Sequence, residues 1–372
     1  MLMWFIILLV IVLFTITEFC YLSKKMNHFQ IISLIKFKLL KLNISGGLIV
    51  TCVSFLVLCL IFDLINAIVC FFYVSLFWLI FDVIFVLMEF ILSRKFKVYY
   101  AGIFALVISS LLLCLGWYQA HNVWIEEYTI KTHKNIHDTK ITFIADSHIG
   151  TTFTGKEFAN HVATMQKQAA DIIFIVGDFV DDDTSKEDML AATRALKDLK
   201  TTYGVYFVFG NHDEGYYGAE HRGFSAAELI TELQKNNVVV LQDTSIAIDD
   251  YLYIIGRKDK VETQRGLGRL TMSELTKGID KNKFSIVLDH QPNDYKAQEQ
   301  ANVDLVLSGH THGGQIWPLN YIGELIGAND QTYGYKQIGN TNFVVTSGIS
   351  DWAIKFKTGT RSEIVTIHLE KD

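Results

Sequence analysis

The first third of the chain is a series of long apolar stretches, and this feature constrains the fold more than any other. In a chain of 372 residues, the stretches occupy positions 2–21, 42–62, 64–92 and 98–125. A helix of about 20 apolar residues rises about 30 Å, which is the thickness of the hydrocarbon core of a bilayer. We therefore expect residues 1–125 to form an all-α transmembrane bundle of about four helices. The first is expected to be a retained span, not a cleaved signal peptide.

The basic residues predict how such a bundle is oriented. Five lysines lie within residues 23–41, and Arg94, Lys95 and Lys97 follow the third stretch. Because basic loops stay on the cytoplasmic side, we expect a multi-pass protein of the cell membrane with an extracytoplasmic C-terminal domain. Residues 23–41 fit two interpretations: an amphipathic segment on an anionic leaflet, or a short cytoplasmic loop whose lysines reach the interface.

Asp82 lies inside the third stretch, where a charge is costly. An unpaired charge at the centre of a span costs about 2.5–3.5 kcal/mol on insertion scales. Asp82 is therefore either a functional residue or an aspartate packed in the bundle or near an interface, and the pattern favours the second interpretation.

The remainder of the chain has a composition that excludes several functions. Residues 119–372 hold 25 of the 33 basic residues and 35 of the 39 acidic ones. A domain this acidic repels nucleic-acid backbones, so nucleic acid is not an expected partner. All five cysteines precede residue 119, so this region contains neither a disulfide nor a thiolate zinc site.

Short apolar runs alternate with helical patterns in the second part of the chain. We predict strands at 140–145, 171–176, 205–209, 251–256, 284–288, 303–307 and 343–346, and helices at 157–170, 186–200 and 225–236. This alternation indicates an α/β domain over residues 126–372, with its functional loops at the carboxyl ends of the strands.

Metal-type side chains follow five of these strands. The motifs are Asp146-Ser147-His148, Gly177-Asp178-Phe179-Val180-Asp181, Gly210-Asn211-His212-Asp213, Asp289-His290 and Gly309-His310-Thr311-His312. Residues i and i+2 of an extended segment point the same way, so Asp146 and His148 are expected to share one ion. Carboxylate, imidazole and amide ligands together suit Mn, Fe or Zn, and not an all-oxygen calcium site.

In this order, the five motifs resemble those of the calcineurin-like metallophosphoesterase superfamily, from about residue 140 to the C-terminus. Each motif alone is weak evidence, whereas five in sequence, each after a strand, are specific. The resemblance implies a β-sandwich flanked by helices. It also implies a binuclear centre of two divalent ions, manganese among the candidates, that holds a hydroxide and contacts the phosphate oxygens.

The resemblance also implies roles for individual residues. One ion is expected at Asp146, His148, Asp178 and His312, and the other at Asp178, Asn211, His290 and His310, with Asp178 bridging. His212 is similar to the family's catalytic histidine, which protonates the leaving oxygen, and Asp181 to the aspartate that orients that ring. A second interpretation makes His212 an orienter of a metal ligand.

The tail of the last motif, with Ser347-Gly348 and Arg361, is similar to a membrane-associated bacterial phosphodiesterase branch that includes UDP-2,3-diacylglucosamine pyrophosphohydrolase-like enzymes. This implies a membrane-tethered hydrolase of a phosphodiester or pyrophosphate bond, acting on an envelope or lipid-linked substrate. The alternatives are a phosphomonoesterase, or a transporter or sensor bundle with an accessory phosphoesterase domain. Arg361 is either a phosphate ligand or a structural residue.

Overall fold

The protein divides into two compact units, residues 1–115 and 116–372. The structure, a computed structural model, describes residues 2–39 and 42–372. The division lies ten residues before the domain boundary expected at residue 125. We describe each unit separately.

The first unit is mainly helical. Its elements, in chain order, are α1 (Leu2–Met26), α2 (Gln30–Ser33), β1 (Lys36–Leu39), β2 (Leu42–Ser45), α3 (Gly46–Ile61), α4 (Leu64–Leu92) and most of α5 (Tyr100–His121). By length and composition, α4 and α5 are long and apolar enough to cross a membrane, and α3 is a shorter apolar helix. Residues 42–45 belong to a hairpin with β1, so the second expected stretch becomes helical only at residue 46.

Residues 23–41 do not form one continuous element. Helix α1 continues through Met26, α2 is a single turn, and β1 follows it, while residues 40 and 41 lie outside the described part of the chain. The described residues therefore belong to three separate elements, and both interpretations of this stretch stay predictions. The strand of residues 36–39 pairs antiparallel with residues 42–45, and this contact was not visible in the hydrophobic pattern.

Two aspartates of the first unit have structural partners. Asp63 caps α4 by accepting a hydrogen bond from the Asn66 backbone N–H at 2.8 Å, which explains why the apolar sequence breaks there. Asp82 forms an ion pair with Lys25 and accepts hydrogen bonds from the hydroxyls of Tyr21, at 3.2 Å, and Tyr99, at 2.9 Å. Asp82 is thus packed against polar side chains, which favours the interpretation of an aspartate packed in the bundle.

The second unit is an α/β domain. Its strands are β3 (Val123–Thr132), β4 (Thr139–Ile144), β5 (Ile172–Val176), β6 (Val205–Val208), β7 (Val238–Val240), β8 (Thr244–Ala247), β9 (Leu252–Gly256), β10 (Phe284–Leu288), β11 (Leu305–Ser308), β12 (Gly334–Ile338), β13 (Thr341–Val345) and β14 (Ser362–Lys371). Its helices are α6 (Phe158–Lys167), α7 (Lys186–Leu196), α8 (Ala219–Arg222), α9 (Ala226–Lys235), α10 (Val261–Gln264), α11 (Met272–Leu275), α12 (Tyr295–Gln300) and α13 (Ile322–Leu325).

The strands form two mixed six-stranded sheets. Their orders are β3-β14-β4-β5-β6-β7 and β12-β13-β11-β10-β9-β8. Buried side chains of both sheets, such as Phe174 and Ile286, share one core between them. The outer face of the first sheet packs against α6, α7 and α9, and that of the second against α11 and α12. The predicted α/β domain with a sandwich between helices is confirmed.

The chain from residue 123 differs from the sequence expectation. Residues 123–125 were assigned to the fourth span, but they begin β3, which pairs in parallel with β14 over ten residues. The strand is half-exposed and carries Glu126 and Glu127, so its sequence lacks the fully apolar run of a buried strand. The pairing with β14 depends on residues more than 200 positions away, which no local pattern reveals.

The parallel strands place the five motifs at one edge of the sandwich. Asp146 follows β4, Asp178 follows β5, and Asn211 follows β6 in the first sheet. His290 follows β10 and His310 follows β11 in the second sheet. Carboxyl ends of parallel strands share an edge, and the strand-end motifs of both sheets meet there.

Candidate metal centre

The structure brings six of the predicted ligands into two groups. The first ligand group is Asp146, His148 and His312, and the second ligand group is Asp178, His290 and His310. Within each group, the ligand atoms lie within 4.8 Å of one another. Oδ2 of Asp178 is 3.0 Å from Nε2 of His290 and 3.8 Å from Nε2 of His148, so it lies between the two groups.

Left-handed backbone conformations aim these side chains. Positive φ values occur at Asp146, His148, Asp178, His310 and His312, between 37° and 71°. Each such non-glycine residue costs about 1–3 kcal/mol unless its surroundings hold it there. The sequence analysis paired residues 146 and 148 because side chains two apart in an extended segment point the same way. Both residues do belong to the first ligand group, but their backbone is left-handed and not extended.

Glycine allows the loops to approach closely. A Cβ atom at Gly210 would lie 2.2 Å from Oδ1 of Asp178. No side chain fits in that space, so the loop that carries Asn211 can reach the centre only with glycine at this position.

Several buried polar atoms at the centre fit a divalent ion. Nε2 of His148, Nε2 of His290 and Oδ1 of Asn211 are buried, and none has a hydrogen-bond partner in the described part of the chain. The opposite nitrogens are held: Nδ1 of His148 contacts Asp181 Oδ2 at 3.0 Å, and Nδ1 of His290 contacts the Val176 carbonyl at 2.8 Å. Fixing one ring nitrogen while the other is left for an ion is typical of metal-binding histidines.

At the centre, buried carboxylates and imidazoles shift one another's pKa values. Burial would raise the pKa of Asp178, but the neighbouring His290 and His148 hold it well below its ordinary value. Burial would likewise lower the pKa of His290, but Asp178 and Asp146 raise it well above the ordinary value. Protons and metal ions therefore compete for the same imidazoles, so metal affinity is expected to fall in acid.

His212 lies beside both ligand groups, with its ring centroid 5.1 Å from that of His148, and is partly exposed. Its backbone N–H donates to Asp178 Oδ1 at 2.8 Å, and its ring packs against Trp352 and Tyr216, with centroid distances of 4.8 and 5.2 Å. Burial lowers the pKa of the ring. No hydrogen bond reaches the ring from residues 2–39 or 42–372.

Asp181 has a different partner from the one expected. It was predicted to orient His212, but its carboxylate contacts Nδ1 of His148. It also accepts hydrogen bonds from the Asp183 backbone N–H at 2.9 Å and the Thr184 hydroxyl at 3.2 Å, which fix it in place. Its geometry is that of a group that positions a metal ligand, because its carboxylate contacts a histidine of the first ligand group and not His212.

Comparisons with known proteins agree with this geometry. The model of the calcineurin-like phosphoesterases matches residues 139–314. A metallophosphoesterase of Bacillus subtilis is 30% identical over 238 residues, which are 61% of this chain and 82% of the relative. The chain belongs to the calcineurin-like phosphoesterase family.

Two further relatives of this family differ in length from the chain. A metallophosphoesterase of Campylobacter jejuni is 30% identical over 234 residues, 63% of this chain and 59% of the relative. A transmembrane protein with metallophosphoesterase domain from Bos taurus is 30% identical over 246 residues, 63% of this chain and 54% of the relative. The chain thus spans less than two thirds of the length of these relatives.

Two residues of this phosphoesterase centre received no role from the sequence. Asp213 accepts hydrogen bonds at 2.7–3.0 Å from the backbone N–H groups of Asp178, Phe179, Val180 and Gly210, so one carboxylate joins two ligand loops. Its place in the Asn-His-Asp motif was a signal that the sequence offered. Nothing in the sequence showed that its carboxylate points inward, toward the backbone of the ligand loops.

Lys357 is fully buried, and its ammonium donates to the Ser347 and Gly348 carbonyls at 2.6 and 3.2 Å. Burial lowers its pKa to about 8. Residue 348 packs directly against Asp146, since a Cβ there would lie 2.8 Å from the Asp146 Cβ. The lysine therefore braces the loop behind the first ligand group, and nothing in its local sequence predicts this.

Arg361 has a structural partner. Its guanidinium pairs with Glu126 at 2.8 Å and lies over the ring of Trp124 at 5.1 Å. These contacts favour the structural role over a phosphate contact.

Proposed function

We propose that this phosphoesterase family member is a membrane-tethered hydrolase that cleaves a phosphodiester or pyrophosphate bond by metal-dependent chemistry. The observation that carries the proposal is Asp178 between His148 and His290, at 3.8 and 3.0 Å, with ligand nitrogens of both rings left without hydrogen bonds. A bridging carboxylate between two histidine-carboxylate groups fits two divalent ions a few ångströms apart.

Different side chains are proposed to hold the metal ions and to protonate the leaving group. Divalent ions at such a centre supply Lewis acidity toward phosphate oxygens and lower the pKa of water. The residues proposed to hold them are Asp146, His148, Asp178, Asn211, His290, His310 and His312. His212 lies at the exposed rim, where its ring can reach the leaving oxygen, while the hydrogen bond from its own backbone to Asp178 fixes its distance from the centre.

Membrane tethering rests on the N-terminal helices. Helices α4 and α5 meet the length and apolarity of membrane spans, and relatives carry the name transmembrane protein. The basic residues between α4 and α5 favour a cytoplasmic connection and therefore an extracytoplasmic catalytic domain. A tethered enzyme meets envelope or lipid-linked phosphates, of the kind hydrolysed by UDP-2,3-diacylglucosamine pyrophosphohydrolase-like enzymes.

The activity is tested on the purified full chain in detergent with Mn²⁺, Fe²⁺ or Zn²⁺. Bis-p-nitrophenyl phosphate is the substrate for diester cleavage, and p-nitrophenyl phosphate is the substrate for monoester cleavage. A nucleoside diphosphate sugar is the substrate for pyrophosphate cleavage. We expect turnover of the diester or the pyrophosphate that chelators abolish and added metal restores. Turnover of the monoester alone would replace the proposal with a phosphomonoesterase, and no turnover with both ions bound would favour an accessory role.

Orientation is tested with single cysteines in full-length chains whose five native cysteines are replaced by alanine. A cysteine at Glu126 should react with a membrane-impermeant maleimide on intact cells. The matched control is a cysteine at Lys95, in the connection between α4 and α5, which should react only after lysis. The reverse pattern would place the catalytic domain in the cytoplasm.

A further inference from the structure

A loop that follows the metal-binding histidines exposes apolar side chains. We call residues 316–326, which include the four-residue helix α13, the apolar loop. Leu325 is 83% exposed and Ile326 74%, and Leu319, Tyr321 and Ile322 are also among the exposed large side chains. Single exposed apolar residues are ordinary, but a cluster within one short loop is typical of an interaction surface.

Apart from the buried Ile316, this loop places apolar side chains outward and polar side chains inward, which is the reverse of an ordinary surface loop. Its polar side chains face the domain: Asn320 is buried, and Glu324 accepts a hydrogen bond from the Thr332 backbone N–H at 2.6 Å. The apolar side chains of the neighbouring positions 319, 321, 322, 325 and 326 face outward. Hydrogen bonds on the inner side of the loop therefore hold it in place, and the fold itself directs its apolar side chains outward.

The apolar loop is joined to the metal centre through the segment of residues 357–362. The Trp317 backbone N–H donates to the Thr358 hydroxyl at 3.0 Å, and the Thr358 N–H donates to the Gln315 carbonyl at 2.9 Å. The Thr360 hydroxyl in turn contacts the carbonyl of His312, a member of the first ligand group, at 3.3 Å. The loop therefore begins only four residues after a proposed ligand and shares its support.

The same segment is bound to the last turns of α5. The Lys357 backbone N–H donates to the Gly116 carbonyl at 2.9 Å, and the Ser362 hydroxyl donates to the Ala120 carbonyl at 2.7 Å. Trp117 and Tyr118, in these turns, are 44% and 48% exposed. Tryptophan and tyrosine are enriched where a span leaves the hydrocarbon for the headgroups, so this end of α5 has the composition of a membrane interface.

We propose that the apolar loop inserts into the surface of the bilayer that α5 enters, so that the metal centre takes lipid phosphoesters from the membrane plane. This rests on the proposed function, because it requires the helices to lie in a membrane. A bilayer suits the observations because the exposed aromatic residues of α5 and the apolar side chains of the loop are joined through one hydrogen-bonded segment. Apolar side chains of surface-bound proteins enter the headgroup region in this way.

The test measures the surroundings of the loop in the full-length protein. The five native cysteines are replaced by alanine, and an environment-sensitive fluorophore is attached to a cysteine at Leu325. The protein is reconstituted in vesicles of phosphatidylcholine and phosphatidylglycerol, with or without nitroxide-labelled lipid. A cysteine at Val239, an exposed apolar position on β7 that is 43% exposed, is the matched control.

We expect the label at position 325 to emit at shorter wavelength and to be quenched by the nitroxide lipid, and the label at 239 to show neither change. Equal emission and quenching at both positions would overturn the proposal. A shorter wavelength without quenching would also overturn it, because the loop would then contact protein and not lipid. Turnover of bis-p-nitrophenyl phosphate and flotation with vesicles are measured on the same samples, so failure of the proposed activity or tethering is distinguished from failure of loop insertion.

Discussion

The two ligand groups are built from the same residue types but are supported differently. In the first, the ring of His148 is held by the carboxylate of Asp181 at 3.0 Å, and Lys357 braces the loop behind Asp146. In the second, the ring of His290 is held by the backbone carbonyl of Val176 at 2.8 Å. Side chains thus support the first group, whereas the strand backbone supports the histidine of the second.

This difference has a chemical consequence. A carboxylate on the far nitrogen makes an imidazole a more basic ligand than a carbonyl does. It also makes the first group sensitive to substitution of Asp181. The corresponding partner in the second group is the backbone carbonyl of Val176, which a side-chain substitution does not remove. Metal affinity in the two groups should therefore respond to different substitutions, and the predictions below test where that separation holds.

The largest effect is expected where the groups meet. Asp178→Asn removes the carboxylate that lies between His148 and His290, so both ions should be lost or displaced and turnover should fall to background. Metal content per chain and turnover of bis-p-nitrophenyl phosphate measure this. Asp183→Asn, at an exposed carboxylate of the same loop, is the control. Two retained ions with full turnover would show that residue 178 does not bridge.

The next effect separates proton delivery from ion binding. His212→Ala should keep both ions but lose roughly 100- to 10,000-fold in rate on alkyl diesters, whose leaving oxygen needs a proton. The loss on nitrophenyl esters should be mild, because nitrophenolate leaves without a proton. Exposed His221→Ala serves as the control. Equal losses on both substrates, with metal content intact, would mean that His212 binds the phosphate.

Asp181→Asn should act on the first ligand group alone. Loss of the negative charge at Nδ1 of His148 is expected to weaken the ion there by roughly 10- to 100-fold, as for other partners of metal ligands. The rate should fall equally for alkyl and nitrophenyl esters at limiting metal and recover at high metal. Metal titration followed by calorimetry measures it. A leaving-group dependence like that of His212→Ala would return Asp181 to the role first expected of it.

The smallest effect is expected in the second group. The Tyr216 hydroxyl accepts a hydrogen bond from Nδ2 of Asn211 at 3.0 Å, which leaves the Oδ1 atom of Asn211 for an ion. Tyr216→Phe removes one partly exposed hydrogen bond, so metal affinity should fall by roughly 2- to 10-fold. Tyr217→Phe, whose ring is exposed, is the control. A change larger than that of Asp181→Asn would reverse the proposed difference between the groups.

The sequence predicted the strands of the domain well where they are buried. Phe284–Leu288 is apolar except for Ser285 and forms a strand within those bounds, because a strand covered on both faces needs apolar residues at nearly every position. Strands β3 and β14 are among those that were missed. Both carry charged residues, although β14 is mostly buried and only β3 is half-exposed, and the two strands pair with each other over ten residues. In the first unit, Asp63 marked the break between α3 and α4 correctly, because an aspartate at that position caps the following helix.

What the sequence determined by itself was the chemistry available and its order along the chain. Acids, imidazoles and an amide after buried strands follow from local composition, and the carboxyl ends of parallel strands must share an edge. Only the tertiary structure decided which atoms meet. Asp181 reaches His148 and not His212, Asp213 collects backbone N–H groups, and Lys357 is buried behind Asp146. These contacts depend on left-handed backbone angles and on segments far apart in the chain. Neither can be predicted from the residues adjacent in the sequence.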